Sequence, residues 1–430
     1  MVKDLQSGKT LHSHNASNSF VPASTVKLIT TATALEVLGA DYRFKTTLEI
    51  EGIISADSVL QGNLIIYGSG DPTLGSSKLG NINFLNDWIS AVRKAGIKQI
   101  NGNIIANASV YDTEGINPKW LWEDMGNYFG AGAYGISYKD NTFEMELRSG
   151  AVGTTPEIVK ITPNIPELTF KNYLRSTTIR FDSAYFYGAP FVNERSIYGE
   201  IPANRPSFKI KGDIPRPGLV LARDLAWKLK SSGISVTGIA TDEAGVSGRR
   251  TVIYTHLSPK LTEIIQEINS NSNNHFAEHL FRHLALQSGI QASSPEAVKR
   301  INAFWKSKGL PVDELFLYDG SGLSTVNAVS ANFFVSLLSY MDKSSNNSVF
   351  RASLPVAGKS GTIRNFLKGT SLEGRVQAKS GTISRVRAYA GYINTNGNRF
   401  AFAVIVNNPN STSTIETRKK IEEFLIRAQY

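Results

Sequence analysis

The stretch "VPASTVKLITTATALEVLG" (residues 21–39) carries apolar residues at helical spacing and ends in a glycine. Val26, Ile29, Ala32 and Leu35 would line one side of a helix, and the final glycine is a common stop signal. The stretch therefore predicts a buried helix near the beginning of the chain.

Ser24 and Lys27 form a Ser-x-x-Lys motif where this helix begins. A serine hydroxyl is a weak nucleophile until a base removes its proton. A lysine one turn away can act as that base if burial or neighbouring positive charge lowers its pKa. The helix N-terminus also favours negative charge that develops near Ser24. Taken alone, the motif is explained better by a helix-capping Ser24 and a solvated Lys27.

Two later motifs favour the catalytic interpretation. Ser272 and Asn274 form a Ser-x-Asn motif in "NSNNHFAEHL", at the predicted junction of two helices. Lys379 ends "GRVQAK", whose alternation predicts a strand, and a second strand pattern, "SRVRAYAGYI", follows. Lys379 thus begins a Lys-Ser-Gly motif on a strand that enters a hairpin.

The letters Lys-Ser-Gly-Thr-Ile occur twice, beginning at Lys359 and at Lys379. Lys359 follows "LPVAG", where Pro355 and Gly358 argue against a regular strand. The segment after Lys359 does not have the pattern of a hairpin partner. We therefore predict that Lys379 is functional and that Lys359 is not.

Ser-x-x-Lys, Ser-x-Asn and Lys-[Ser/Thr]-Gly in this order are the signature of penicillin-binding proteins and class A β-lactamases. The stretches "YGSGDPTLG", "GNYFGAGAYGISYKDNTF", "YDGSGLS" and "LPVAGKSGTIRNFLKGT" extend the likeness over nearly the whole chain. The chain resembles the low-molecular-mass class C penicillin-binding proteins, the D-alanyl-D-alanine carboxypeptidase/endopeptidases of peptidase family S13.

The resemblance implies a mixed α/β (α+β) fold of the penicillin-binding, serine β-lactamase-like transpeptidase type with two nested inserted domains. The catalytic domain would comprise residues 1–43 and 250–430. An inserted domain would comprise residues 44–149 and 206–249, and a β-rich domain, residues 150–205, would be nested inside it. The change in predicted secondary structure along the chain, from helices to short strands, agrees with this division.

The resemblance also implies catalytic roles. Ser24 would attack the carbonyl of the penultimate D-alanine and form an acyl-enzyme, and Lys27 would accept its proton. Ser272 would relay a proton to the leaving amine, and Asn274 would hold the amide side of the substrate. Lys379 would supply positive charge toward the terminal carboxylate. Peptidoglycan stem peptides would be the substrates and β-lactams the covalent inhibitors.

Three further residues would bind substrate: Ser380, Gly381 and Thr382. The hydroxyl of Thr382 would bind the terminal carboxylate, and the backbone N–H groups of Ser24 and Thr382 would form the oxyanion hole. The sequence departs from the family pattern at Asn273, where Asp is usual, and at Ser380, where Thr is usual. Both residues keep hydrogen-bonding capacity, so we expect tuned rather than lost activity.

Composition limits the partners. The chain of 430 residues has no cysteine, which excludes disulfides, thiolate metal sites and cysteine nucleophiles. Its net charge of +10 is scattered along the chain, so we predict no nucleic-acid partner and at most peripheral association with an anionic envelope.

The start lacks the pattern of a signal peptide. The resemblance implies a periplasmic or other extracytoplasmic location, with the export signal absent from this chain.

Other motifs are weaker. His275, His279 and His283 recur on one predicted helix face, but they lack the His-Glu-x-x-His order and an evident carboxylate partner. We predict neither a metal nor a cofactor. The glycine-rich "DGSGLS" (residues 319–324) is interpreted as structural and at most near the site.

Two alternatives remain open at this stage. A β-lactamase-like hydrolase would share the acylation step but deacylate fast. A catalytically silent cell-wall-binding protein would use the basic charge and the inserted domains alone.

Overall fold

The computed structural model describes residues 1–190, 192–243, 245, 248–288, 291–395, 397–410 and 413–428. Its helices are α1 (Val26–Leu38), α2 (Leu85–Lys94), α3 (Pro217–Ser231), α4 (Leu261–Asn271), α5 (Asn274–His283), α6 (Ser294–Ser307), α7 (Ala331–Lys343), α8 (Asn347–Ser353) and α9 (Thr414–Arg427).

The strands are, in chain order, β1 (Val2–Asp4), β2 (Thr10–His12), β3 (Ser19–Phe20), β4 (Lys45–Ile54), β5 (Val59–Tyr67), β6 (Gln99–Asn101), β7 (Ile104–Asn107), β8 (Thr142–Arg148), β9 (Glu157–Thr162), β10 (Thr169–Asn172), β11 (Arg175–Thr177), β12 (Tyr185–Tyr187), β13 (Glu194–Tyr198), β14 (Glu200–Pro202), β15 (Phe208–Asp213), β16 (Ser235–Val236), β17 (Ala240–Thr241), β18 (Arg250–Leu257), β19 (Leu315–Phe316), β20 (Ala328–Ser330), β21 (Val376–Ile383), β22 (Val386–Thr395) and β23 (Asn398–Asn407).

The chain divides into two compact units. The first comprises Met1–Tyr42 and Lys260–Tyr430, and the second comprises Arg43–Pro259. The predicted boundary at residue 250 precedes β18, and this strand pairs antiparallel with β4 of the second unit. The division of the second unit into an inserted and a nested domain stays a prediction.

The first unit is built around a five-stranded sheet in the order β2-β1-β23-β22-β21. The N-terminal hairpin completes this sheet, because Val2 pairs with Phe402 of β23. Long strands from the end of the chain supply the rest of it. Apolar side chains of β21, β22 and β23 pack with Leu425 of α9 in one buried cluster.

Helix α1 is buried along most of its length, which confirms the predicted buried helix. Every residue from Val26 to Leu35 is buried. The threonine hydroxyls within it form hydrogen bonds inside the protein. Thr31 donates to the carbonyl oxygen of Lys27 in the same helix at 2.7 Å, and Thr33 accepts from the indole N–H of Trp305 at 2.8 Å. Such a helix holds its side chains in fixed positions, because a packed interior leaves few alternative rotamers.

The second unit is strand-rich, as predicted. Its largest sheet has seven strands, with β4, β5, β6, β16 and β18 on the main path and β7 and β17 beside it. Helices α2 and α3 pack their apolar faces into the same buried cluster as this sheet. The unit also contains two three-stranded sheets, β15-β8-β9 and β10-β13-β12, and the two-stranded sheet β11-β14. Within the described residues, no helix is both long and apolar enough to span a bilayer.

Candidate active site

Ser24 lies in the short 3-10 turn Ala23–Thr25, directly before α1. The amine of Lys27 donates a hydrogen bond to the hydroxyl oxygen of Ser24 at 3.0 Å. Lys27 lies in the first turn of α1, so the turn-to-helix transition places both side chains on one side. The predicted nucleophile and its predicted base are therefore in direct contact.

Lys27 is fully buried. Its amine also donates to the side-chain oxygen of Asn274 at 2.7 Å and to the carbonyl oxygen of Ser321 at 2.6 Å. Burial lowers the pKa of Lys27 from its ordinary 10.5 to about 7, against the opposing pull of the Asp319 and Glu278 carboxylates. A large fraction of the molecules thus carries a neutral amine near pH 7, as a general base requires.

The Ser-x-Asn motif lies where α4 ends and α5 begins. Ser272 adopts a left-handed conformation, with φ 61° and ψ 37°, and closes α4. Asn273 caps α5, and its side-chain oxygen accepts from the backbone N–H of Phe276 at 3.0 Å. An Asp at this position could serve as a cap equally well. Asn274 is the first residue of α5, and it reaches Lys27 as described above.

Lys379 lies on β21 and is fully buried. Its amine donates to the Ser272 hydroxyl at 2.9 Å and to the carbonyl oxygen of Ser380 at 2.8 Å. Burial, and then the nearby charge of Lys27, hold the pKa of Lys379 well below its usual value. The second and third motifs are thereby joined through one hydrogen bond.

Gly381 allows β21 to approach the turn that carries Ser24. A β-carbon at this position would lie 2.5 Å from the carbonyl oxygen of Pro22 and 3.1 Å from the backbone nitrogen of Ser24. Both contacts are to backbone, which cannot move aside cheaply. The glycine of the Lys-Ser-Gly motif is thus a steric requirement of the site, and Thr382 follows it on an exposed position of the strand.

The two copies of Lys-Ser-Gly-Thr-Ile have different environments. Lys359 is largely exposed and forms an ion pair with Glu373 at 2.7 Å. However, Thr362 of the first copy accepts a hydrogen bond from the Ser380 hydroxyl at 2.8 Å. The first copy thus contacts the second through its threonine, a contact that the sequence reasoning did not anticipate.

Sequence reasoning also missed the support beneath Lys27. The loop at residues 319–324, interpreted above as structural, places the Ser321 carbonyl oxygen against the Lys27 amine. The carboxylate of Glu278 accepts the backbone N–H groups of Gly320 and Ser321 at 3.1 and 2.7 Å. Asp319 accepts those of Gly322 and Ser324 at 2.8 and 2.6 Å. Both carboxylates are buried.

Glu278 carries a sequence signal that could have revealed it. It follows Asn274 by four residues on α5 and therefore lies on the same helix face. Burial, and then the adjacent Asp319 carboxylate, raise the pKa of Glu278. The buried carboxylates of Glu278 and Asp319 thus act on the buried Lys27 amine and oppose the lowering of its pKa by burial.

His275, His279 and His283 are all buried, as is every residue of α5 from His275 to His283. The rings of His275 and His279 lie 4.4 Å apart between centroids, and His283 contacts the hydroxyl of Tyr42 at 2.5 Å. Burial lowers the pKa of His275 to about 3. Among the residues the structure describes, no group of three or more His, Asp or Glu side chains is placed to hold a metal ion.

Comparison with known proteins identifies the family. The sequence model of the D-Ala-D-Ala carboxypeptidase 3 (S13) family matches residues 1–428. The chain belongs to this family. Membership makes it a D-Ala-D-Ala carboxypeptidase of the serine type and confirms the resemblance seen in the motifs.

Individual S13 relatives agree. A D-alanyl-D-alanine carboxypeptidase of Actinomadura sp. (strain R39) is 29% identical, over 96% of this chain and 77% of that protein. The crystal structure of penicillin binding protein 4 (dacB) from Haemophilus influenzae has a TM-score of 0.87 at 25% identity, and covers 100% of this chain and 95% of that one. A structure of the same protein complexed with a β-lactam has a TM-score of 0.81 at 23% identity, with coverage of 100% and 95%. The predicted fold class is confirmed.

Proposed function

We propose that Ser24 is the nucleophile through which this S13 carboxypeptidase cleaves the terminal D-Ala–D-Ala bond of peptidoglycan stem peptides. The observation that carries the proposal is the hydrogen bond from the buried Lys27 amine to the Ser24 hydroxyl. Because burial lowers the pKa of Lys27 to about 7, this amine can take up the proton of Ser24 at neutral pH.

Acylation follows from the contacts of both lysines. The Ser24 oxygen bonds to the carbonyl carbon of the penultimate D-alanine as its proton passes to Lys27. The C–N bond to the terminal D-alanine then breaks, and the leaving amine needs a proton. Ser272 is suited to relay it: its hydroxyl oxygen accepts from the Lys379 amine at 2.9 Å, so Ser272 takes a proton from Lys379 as it gives its own to the leaving amine, while the proton of Ser24 stays on Lys27. The products are an ester on Ser24 and free D-alanine.

The terminal carboxylate of the substrate is assigned to Lys379 and its neighbours on β21. Burial holds the pKa of Lys379 low, so an arriving carboxylate would favour its charged form and gain a partner in a poorly solvated place. Thr382 is exposed on the same strand and has a hydroxyl to offer. A substrate that lacks the carboxylate would lose this charge-assisted contact with Lys379, so we expect a preference for substrates that carry a carboxylate beside the scissile bond.

The oxyanion of the tetrahedral intermediate is assigned to the backbone N–H groups of Ser24 and Thr382. The close approach at Gly381 supports this assignment, because β21 passes so near the Ser24 turn that a β-carbon on Gly381 would lie 3.1 Å from the Ser24 backbone nitrogen. Each such donor contributes about 3–4 kcal/mol to acyl transfer. Hydrolysis of the Ser24 ester by water would then regenerate the enzyme.

The same serine is the proposed site of acylation by β-lactams, whose strained amide and carboxylate imitate the D-Ala–D-Ala end. The β-lactam complex of the H. influenzae relative supports this proposal. Cross-links between stem peptides, which also contain a D-alanyl amide bond, are proposed as further substrates. Peptidoglycan as substrate implies action outside the cytoplasm, and the net charge of +10 would favour association with an anionic envelope.

The test is labelling with a fluorescent penicillin, followed by peptide mapping of the modified residue. We expect one adduct, on Ser24, and an intact-mass shift that persists for many minutes. Rapid penicillin turnover without a trapped adduct would assign the protein to the β-lactamases instead. Release of D-alanine from a DD-peptide is expected to disappear in Ser24→Ala, and unchanged release would refute the assignment of the nucleophile.

A further inference from the structure

The three-stranded sheet β10-β13-β12 of the second unit has two unlike faces. Side chains alternate from one face to the other along a strand. Phe186 of β12 and Ile197 of β13 are almost completely buried and belong to the apolar core of this unit. Their neighbours along the strands therefore project from the opposite face.

That opposite face carries tyrosines. Tyr185 is paired with Tyr198, and Tyr187 with Ser196, in the antiparallel register of β12 and β13. Tyr173, which follows β10, stacks on Tyr198 with ring centroids 4.8 Å apart and an interplanar angle of 20°. Tyr187 meets Tyr198 edge-to-face at 5.7 Å.

Trp122 extends the row, since its ring lies 6.2 Å from that of Tyr187. We call Trp122, Tyr173, Tyr185, Tyr187 and Tyr198 the aromatic face. Trp122, Tyr173 and Tyr198 are 57%, 50% and 48% exposed. Contiguous exposed patches of large apolar side chains are uncommon on soluble domains and usually mark binding sites.

The aromatic face borders a cavity of about 600 Å³. Trp122, Tyr187 and Tyr198 line it together with Gly188, Ala189, Val192, Glu194 and Ser196. This volume is typical of sites for small ligands, in which aromatic walls carry a few polar groups. The lining residues that the structure describes include one charged side chain, Glu194, which pairs with Lys171 at 2.9 Å.

The sheet beneath the cavity is held rigidly. Arg195 of β13 projects into the core and donates to both carboxylate oxygens of Asp213 on β15, at 2.9 and 3.1 Å. Both side chains are 1% exposed. A scaffold fixed in this way loses little conformational freedom when a ligand binds, which favours binding.

We propose that the aromatic face binds a neutral, N-acetylated sugar chain, the glycan strand of peptidoglycan. The C–H face of a pyranose ring is flat and apolar and can stack on an aromatic ring. Its hydroxyl and amide groups are then directed to the tyrosine hydroxyls, Glu194 and Ser196. Because Lys171 balances the charge of Glu194, the lining that the structure describes offers no surplus positive charge to a polyanion such as nucleic acid.

The choice of occupant rests on the proposed function, because the stem peptides assigned to Ser24 are branches of such strands. When the active site and the aromatic face bind the same polymer, binding at one raises the effective concentration of polymer at the other, and the overall affinity increases. The aromatic face would therefore lower the apparent KM for polymeric peptidoglycan and leave that for an isolated stem peptide unchanged.

The test uses the full chain and the hexasaccharide of N-acetylglucosamine, which contains no peptide and so is independent of the chemistry at Ser24. Calorimetric titration is expected to show saturable binding to wild type and equally to Ser24→Ala. Tyr198→Ala is expected to weaken binding about tenfold or more, as truncation of a central aromatic contact does. Tyr198→Phe, which keeps the stacking ring, is expected to retain most of the affinity.

Trp227→Ala is the matched control, because Trp227 is 69% exposed on α3 of the same unit and does not line the cavity. Unchanged thermal unfolding shows that each variant is folded, and unchanged penicillin labelling shows the same for the variants that keep Ser24. Absence of saturable binding, or equal binding by wild type and Tyr198→Ala, refutes the proposal. Self-association of the chain that Tyr198→Ala abolishes would assign the face to a second copy and refute it as well.

Discussion

The rate of acylation by penicillin should follow the deprotonation of Lys27. At pH 7 a lysine with a pKa of about 7 is neutral in about half of the molecules, whereas one with a pKa of 10.5 is neutral in about one of three thousand. Burial of Lys27 therefore enlarges the population of the competent base about a thousandfold at this pH. Below the midpoint, the rate should fall about tenfold for each pH unit.

The measurement is single-turnover acylation by a fluorescent penicillin at saturating concentration, in a stopped-flow instrument, between pH 5.5 and 8.5. At saturating penicillin, binding does not limit the rate. The charge of Lys379, which acts on binding of the penicillin carboxylate, therefore does not contribute to the measured pH dependence, and Lys27 does. We expect the rate to rise about thirtyfold between pH 5.5 and 8 and then to level off.

A matched variant gives the sign of the electrostatic effect. The Asp319 carboxylate raises the pKa of Lys27, so its removal in Asp319→Asn should move the midpoint to lower pH. A change in folding alone would lower the plateau and leave the midpoint in place. A rate that is independent of pH across this range, or a midpoint that moves upward in Asp319→Asn, would contradict the assignment of Lys27 as the base.

Three further predictions concern the lysines and the second unit. Lys379→Ala should abolish penicillin labelling. Lys359→Ala should retain it, because Lys359 forms an exposed ion pair. Equal losses of labelling in both variants would contradict the choice of Lys379 over Lys359. The pKa of Lys27 is lower in the folded than in the unfolded chain, so the chain takes up a proton when it unfolds between pH 7 and 10. The free energy of unfolding should therefore rise with pH in this range, by at most about 5 kcal/mol. Urea titrations at pH 7.5 and 9.5 should show this rise in wild type and a smaller one in Lys27→Met; equal rises would exclude a depressed pKa. Arg195→Met should destabilise the second unit by about 3–5 kcal/mol, because it leaves the buried Asp213 carboxylate unpaired. The double variant with Asp213→Leu should recover much of that loss in the same denaturation assay.

Much of the candidate site could be predicted from the sequence because its chemistry is carried by local motifs. Ser24 and Lys27 are one helical turn apart, a spacing that permits contact but is equally compatible with a helix cap and a solvated lysine, and only the two later motifs favoured the contact that the structure shows. Ser272 and Lys379 are distant in sequence, and only the order of the motifs suggested that they meet. The structure brings them together at 2.9 Å.

The support beneath Lys27 could not be predicted in the same way. Ser321 contributes a backbone carbonyl oxygen, which every residue type possesses, so composition carries no trace of this contact. Glu278 acts on the loop through backbone N–H groups that follow it by more than forty residues. Such contacts depend on tertiary packing, which a linear pattern does not encode.

The limits of the second unit show the same difficulty. The sequence placed a domain boundary at residue 250, but β18 begins there and its antiparallel partner is β4, at the other end of the inserted segment. The aromatic face likewise requires the register of β12 on β13 before its tyrosines form one surface. Strand existence is a local property, whereas strand partnership is not.

The position of β1 in the sheet of the first unit has a consequence for the order of folding. The backbone of Val2 pairs with Phe402, and the Met1 amine donates to the carbonyl oxygen of Ala403 at 2.8 Å. During synthesis, β1 therefore waits for its partner until Phe402, four hundred residues later, has been made. The continuous segment Arg43–Pro259 is complete much earlier and can fold first. Penicillin reactivity should accordingly be a late event, and nascent chains that end before β23 should remain unlabelled.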